Sequence, residues 1–304
     1  MSFISAADRI EIIEVGPRDG LQNESRVLSP DLRVELISRL VKAGLSSIEV
    51  GSFVKHDVIP QMAGTAEVFR GTSDLGISQR ICLVPNLRGL EDALQAGVRH
   101  IAVFVAASES FNLANTNCSI EDGLRNAHDV AEAALEAGIN VRGYVSTIAG
   151  CPYEGHVSLD KVVRVAKMLD SFGCYEISLG DTIGVGNPSE ISKVLRAVAD
   201  EVSVKKIAFH GHDTFGMGVA NALSAVNEGV RRIDSSVGGL GGCPFGGPNA
   251  KGNIATEDIV YAMGVENIVG DIDLNSLVEI SWWLSGYTGH EPRSLVAHAL
   301  IRDK

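Results

Sequence analysis

Short apolar runs alternate with amphipathic helical stretches along most of this 304-residue chain. One local phrase recurs: "VKAGLSSIEV" ending at Val50, "LQAGVRHIAVF" at Phe104, "LEAGINVRGYV" at Val145, "LDSFGCYEISL" at Leu179 and "VNEGVRRIDSSV" at Val237. In each, an amphipathic helix end meets a glycine and then an apolar or β-branched run. Glycine tolerates the left-handed backbone that closes a helix, so the phrase predicts helix, C-cap and strand. Further strands are predicted at "IEIIEV" (10–15), "RICLV" (80–84) and "KIAFHG" (206–211), with helix starts near Ser29-Pro30, Pro85-Asn86 and Asn187-Pro188.

Eight strand–helix units thus fall between residues 10 and 265. Strands alternating with helices imply parallel pairing through βαβ crossovers, and eight units in this length favour a closed (β/α)8 TIM barrel. The alternative, an open doubly wound sheet, usually carries GxGxxG after its first strand, where this chain reads "GPRDGLQNE". The expected division is a catalytic barrel over 1–265 and a C-terminal helical extension over 266–304. The extension holds "LNSLVEISWWLSGYT" and "SLVAHALIRD", expected to pack on the barrel or on a partner in a homodimer.

A net charge of −12 argues against a nucleic-acid binder or an anionic-membrane binder. No apolar run approaches the roughly 18 residues of a membrane span, and "MSFISAADRI" lacks a secretory pattern. Five scattered cysteines without a CxxC fit free thiols in a reducing compartment, and the cytoplasm is the expected location.

Barrel enzymes carry their chemistry at the C-terminal strand ends. Those ends place Arg18 and Asp19 after strand 1, Glu49 and Ser52 on strand 2, and Arg142 and Tyr144 on strand 5. Strand 6 brings Ser178, Asp181 and Thr182, and strand 7 brings His210, His212 and Asp213. Residues i and i+2 of a strand share a face, so the two imidazoles can address one point. With a carboxylate and an amide oxygen they would form a mixed N/O site for Mg²⁺ or Mn²⁺, with positions left for substrate. Two hydrogen-bonded core histidines are the alternative. Asp19 is equally a turn residue in "RDG", and Arg18 equally a partner of Glu24 or Glu49. After strand 8, "GGLGGCPFGGPNAKGN" (238–253) sets Cys243 among seven glycines and ends on Asn253. A thiol there acts as acid or base if cations lower its pKa, although burial is the commoner fate of a lone cysteine.

Together these segments resemble the 3-hydroxy-3-methylglutaryl-CoA lyase family, over nearly the whole chain. The matching stretches include "EVGPRDGLQNE", "NCSIE", "VRGYVS", "GCPYEG", "GCYEISLGDTIGVG", "HGHDT", "DSSVGGLGGCPFGG" and "GNIATED". The resemblance implies cleavage of a branched 3-hydroxy-3-carboxymethyl acyl-CoA at a carbon–carbon bond into acetyl-CoA and a 3-oxo acid, acetoacetate in the standard case. It implies Asp19, His210, His212 and Asn253 as ligands of a divalent cation. Arg18 would stabilise the enolate, Glu49 and Asp181 would support the site, and Cys243 would be the catalytic cysteine. Gln22, Ser52, Arg142, Ser178 and Thr182 match positions near the substrate.

The chain also departs from the family pattern. "SFVKHDVIPQ" lacks a tryptophan common at this point, and Ser25-Arg26 follow "GLQNE" where many members place a lysine. Gly211 separates the two histidines, and the Cys243–Asn253 segment is one residue longer than usual. All but the glycine touch substrate loops, which keeps citramalyl-CoA or a longer branched homologue open as substrates. A condensing synthase is disfavoured by the short extension, and a non-catalytic barrel by the intact ligand set.

Overall fold

The computed structural model describes residues 9–242, 251–264 and 268–301. Its strands are β1 (Glu11–Glu14), β2 (Ser47–Ser52), β3 (Gln79–Leu83), β4 (His100–Ala106), β5 (Asn140–Ser146), β6 (Glu176–Asp181), β7 (Ile207–Gly211) and β8 (Arg232–Ser235). All pair in parallel in chain order and close into a barrel. The seam joins β1 to β8, with Glu11 opposite Arg232 and Ile13 opposite Asp234. The fold is therefore the expected (β/α)8 barrel.

The outer layer comprises α1 (Pro30–Lys42), α2 (Thr65–Gly71), α3 (Leu87–Ala96), α4 (Glu109–Thr116), α5 (Ile120–Glu136), α6 (Leu159–Ser171), α7 (Pro188–Ala199) and α8 (Gly218–Asn227). Side-chain caps fix several starts, satisfying N–H groups that have no intrahelical partner. Ser29 accepts from Leu32 N, Asn86 from Gly89 N, and Asn187 forms a capping box with Glu190. Helix α4, absent from the eight-unit pattern, is an insertion between β4 and α5.

Alternation along β1 sends Ile12 outward to the helices and Ile13 into the lumen, as a two-residue period requires. Ile13, Val15, Ile81, Ala102 and Tyr144 form a small apolar layer inside. Much of the remaining lumen is charged. Buried Arg142 donates to Glu176 Oε1 at 2.5 Å and to Asp234 Oδ1 at 2.6 Å. A buried charge is tolerated only when paired and hydrogen-bonded, and this cluster meets that condition.

Beyond β8 lie α9 (Thr256–Gly264), α10 (Leu274–Thr288) and α11 (Leu295–Ala299). Helix α10 packs on α1, where the Arg39 guanidinium sits 4.4 Å from the centre of the Trp283 ring. No described helix is long and apolar enough to cross a membrane.

Candidate active site

The chain leaves β1 through a wide π-helical turn, Gly16–Gly20, closed by Gly20 N–H on Val15 O at 3.2 Å. Such turns recur at functional sites. A side chain at 16 would stand 2.4 Å from Glu14 Oε1, and one at 20 would stand 2.8 Å from Ser236 Oγ, so a larger residue at either end would push these groups aside. Glu14 anchors the turn to the exit of β8, accepting from Gly16 N at 2.8 Å, Val237 N at 2.9 Å and Thr256 Oγ1 at 2.6 Å. Burial pushes its carboxyl up to about 7.

The turn delivers Asp19 to His210 and His212, and one ligand atom from each lies within 4.8 Å of the others. His210 Nε2 and His212 Nε2 are 3.3 Å apart, and each lies 4.0 Å from Asp19 Oδ2. The segment after 250 returns antiparallel across the rim, pairing His212 with Asn253. Asn253 Nδ2 donates to Asp19 Oδ2 at 2.9 Å and to Leu240 O at 3.0 Å, while its buried Oδ1 has no partner. Such an orphaned acceptor is costly. Two imidazoles, a carboxylate and an unpaired amide oxygen fit a hard or borderline divalent cation.

Asp234 orients the first imidazole. Its Oδ2 lies 3.1 Å from His210 Nδ1 and also accepts from Ser178 Oγ at 2.9 Å and Arg142 Nη1 at 3.1 Å. Burial favours the neutral acid, but Arg142 and His210 outweigh it and hold the carboxyl far below the usual range. An ionised Asp234 only accepts, so Nδ1 of His210 is the donor to it and Nε2 is the nitrogen turned toward the cluster. Burial, reinforced by His210, pushes His212 down to about 4, leaving it neutral at physiological pH. Burial likewise opposes the charge on Asp19, yet Arg18 and the two imidazoles keep its carboxyl below the ordinary value.

Arg18 lies beside this cluster. Its Nη1 donates to Asp19 at 2.5 Å and its Nε to Glu49 at 2.7 Å, with Nη2 a further 2.6 Å contact to Glu49. A guanidinium has five N–H donors, so two stay available for a substrate oxygen. Alternation along β2 sends Ile48 and Val50 outward and Glu49 into the lumen, just before the β2–β3 register shifts between Glu49 and Gly51. Tyr144 O–H donates to Glu49 at 3.3 Å while its ring packs 5.6 Å from Arg18.

The other sequence candidates take varied places. Gln22 Nε2 reaches Asp19 at 3.2 Å, and Ser52 Oγ is buried without a partner. Arg142 and Ser178 lie beneath His210, joined to it through Asp234 rather than open to the rim. Asp181 accepts from Val185 N at 3.1 Å and Gly186 N at 2.9 Å, which shapes the "TIGVG" loop; burial pushes its carboxyl up to about 6. Thr182 Oγ1 accepts from Thr147 N at 2.8 Å. Cys243 lies outside the described residues. Sequence reasoning missed Asp234 and Glu14. The signal was an acidic residue directly following the apolar residues of a short strand, Ile12-Ile13 in β1 and Ile233 in β8, with Asp234 in register beside His210.

Comparison with known proteins places these residues in context. The HMGL-like family model matches residues 9–283. Hydroxymethylglutaryl-CoA lyase of Bos taurus mitochondria is 46% identical over 295 residues, covering 97% of this chain and 90% of the relative. A Pseudomonas aeruginosa 3-hydroxy-3-isohexenylglutaryl-CoA/hydroxy-methylglutaryl-CoA lyase is 45% identical over 293 residues, covering 96% of this chain and 97% of its own. A crystal structure of hydroxymethylglutaryl-CoA lyase from Pseudomonas aeruginosa superposes with a TM-score of 0.93 at 45% identity, covering 96% of this chain and 97% of that one. An HMG-CoA lyase from Acinetobacter baumannii, solved with coenzyme A and 3-methylmalate, gives a TM-score of 0.92 at 34% identity, covering 99% of this chain and 98% of that one.

Proposed function

This chain belongs to the HMGL-like family, and from that premise we propose that it is a carbon–carbon lyase cleaving 3-hydroxy-3-methylglutaryl-CoA to acetyl-CoA and acetoacetate. The observation that carries the reading is the convergence of Asp19, His210 and His212 beside the unpaired Asn253 Oδ1, with the Arg18 guanidinium adjoining. These four would hold Mg²⁺ or Mn²⁺. When bound, the cation supplies Lewis-acid polarisation that lowers the pKa of a substrate hydroxyl.

Cleavage passes the 3-hydroxyl proton to a base, forms the C3 carbonyl of acetoacetate as the C2–C3 bond breaks, and leaves that bond's electron pair on the thioester enolate of acetyl-CoA. Arg18 serves the enolate oxygen with its two spare N–H groups, and Glu49 and Asp19 hold the guanidinium plane so that no reorganisation is needed as charge develops. Asp234 fixes His210, and Tyr144 braces Glu49. Cys243 is assigned delivery of a proton to the enolate carbon on the family resemblance alone. The Pseudomonas relative's second substrate supports a further reading, in which a longer branched acyl-CoA is also accepted.

Within the same proposal, exposed Tyr261, Tyr287 and Leu295 on α9–α11 support a homodimer. The free thiols Cys82, Cys118, Cys151 and Cys174 support residence in the cytoplasm. The test is acetyl-CoA release by chelator-treated protein from 3-hydroxy-3-methylglutaryl-CoA and a branched homologue. Activity should vanish without cation and return with Mg²⁺ or Mn²⁺. Release indifferent to chelation, or none under any condition, overturns the reading.

A further inference from the structure

We infer that Arg293, from the segment following α10, is a positioning residue that aims the Asn253 amide oxygen into the cation site. The inference rests on the site reading given above. Arg293 Nη1 donates to Gly241 O at 2.7 Å, and its backbone N–H donates to Gly238 O at 2.8 Å. Arg293 therefore holds the stretch 238–242, which begins in a 3-10 turn at Val237–Gly239, at both of these carbonyls.

That stretch bears directly on Asn253. Leu240 O accepts from Asn253 Nδ2 at 3.0 Å, and a Cβ on Gly241 would stand 2.6 Å from the same nitrogen. With Nδ2 held by Leu240 O and Asp19 Oδ2, the amide cannot flip, and Oδ1 is left as its buried, unpaired atom beside Asp19 and His212. Gly252 completes the fit: a Cβ there would meet Gly239 O at 2.3 Å, Gly241 O at 2.8 Å and Arg293 Nη1 at 2.9 Å. The backbones of 239–241 and 252–253 and the guanidinium thus form one packed unit.

The segment carrying Arg293 is itself secured. Ser294 Oγ donates to Asp258 at 2.6 Å, and His290 Nε2 lies 2.9 Å from Glu24 Oε2. Arg293 therefore reaches Gly241 from a fixed base. Losing the guanidinium would free Gly241 O and Leu240 O to shift together, and Asn253 would lose its fixed orientation.

The experiment titrates the full-length protein with Mn²⁺ alone, followed by electron paramagnetic resonance of the free ion, alongside thermal unfolding without cation. R293A should weaken Mn²⁺ binding about tenfold, the low end of the effect of outer-shell partners, with little change in unfolding temperature. R293K, which returns a donor to Gly241 O, should recover part of the loss. L295A, which trims an exposed side chain of the same segment without touching its anchors or Gly241, should bind as wild type does. Equal affinity in R293A and wild type overturns the inference alone, as does an equal loss in L295A. Wild-type protein that takes up no Mn²⁺ overturns the site reading and the inference with it.

Discussion

Replacing Asp234 with asparagine keeps the side-chain shape and removes its charge, which isolates what the carboxylate does for His210. In the native site Oδ1 accepts from Arg142 Nη2 at 2.6 Å, while Oδ2 serves Arg142 Nη1, Ser178 and His210. Either orientation of an asparagine sets its NH2 against one guanidinium nitrogen, so the oxygen keeps the closer contact, Arg142 Nη2 at 2.6 Å, and the NH2 takes the longer one, Nη1 at 3.1 Å. The amide NH2 then faces His210 Nδ1 and donates to it, which drives the imidazole proton to Nε2, the nitrogen proposed to hold the cation. Loss of a histidine-orienting carboxylate weakens metal binding by about 10–100-fold, or about 1.4–2.8 kcal/mol. The apo protein should also suffer, since breaking a buried ion pair costs about 3–5 kcal/mol. Arg142 keeps Glu176 at 2.5 Å, so the lower end is expected. Mn²⁺ titration measures the first effect and thermal unfolding the second, with the ¹⁵N shifts of His210 reporting the tautomer. Folded D234N protein with undiminished Mn²⁺ affinity would refute the argument.

Two further substitutions probe neighbouring features. G241A places a side chain at φ +108°, 2.6 Å from Asn253 Nδ2. It should cost about 1–3 kcal/mol of stability and weaken Mn²⁺ binding; native-like affinity would contradict the close packing around Asn253. Burial pushes Glu257 up to about 8 and Glu14 to about 7, against an ordinary 4.5. Between those values the folded chain binds more protons than the unfolded one, so stability falls as pH rises from about 4.5 to about 8. E257Q retains an oxygen for Gly238 N, now held at 2.9 Å, and should flatten that fall. An unchanged slope of melting temperature against pH would remove Glu257 from the account.

The barrel was legible because its helix–glycine–strand phrase is a local signal, written wherever a helix needs a left-handed terminus. The rim was legible too, since His210 and His212 announce a shared strand face from two-residue spacing alone. Asp234 was not, because its meaning comes from three partners on other strands: Arg142, Ser178 and His210. Arg142 shows the converse. Its sequence position suggested a rim group, yet the register sets it in the lumen between Glu176 and Asp234. The wide turn at 16–20 and the extra helix α4 also escaped, as neither changes the apolar periodicity.

The seam between β1 and β8 has a consequence for how the protein is made. Asp19 and Asn253, which touch across it, are separated by 234 positions in the chain. A ribosome adding about 5–20 residues per second needs roughly ten to fifty seconds between them. For that interval the emerging polypeptide holds an arginine, a carboxylate and later two histidines with no common centre. The proposed cation site comes together only when the last strand meets the first. On that proposal, the choice of ion falls to the closed barrel rather than to the growing chain.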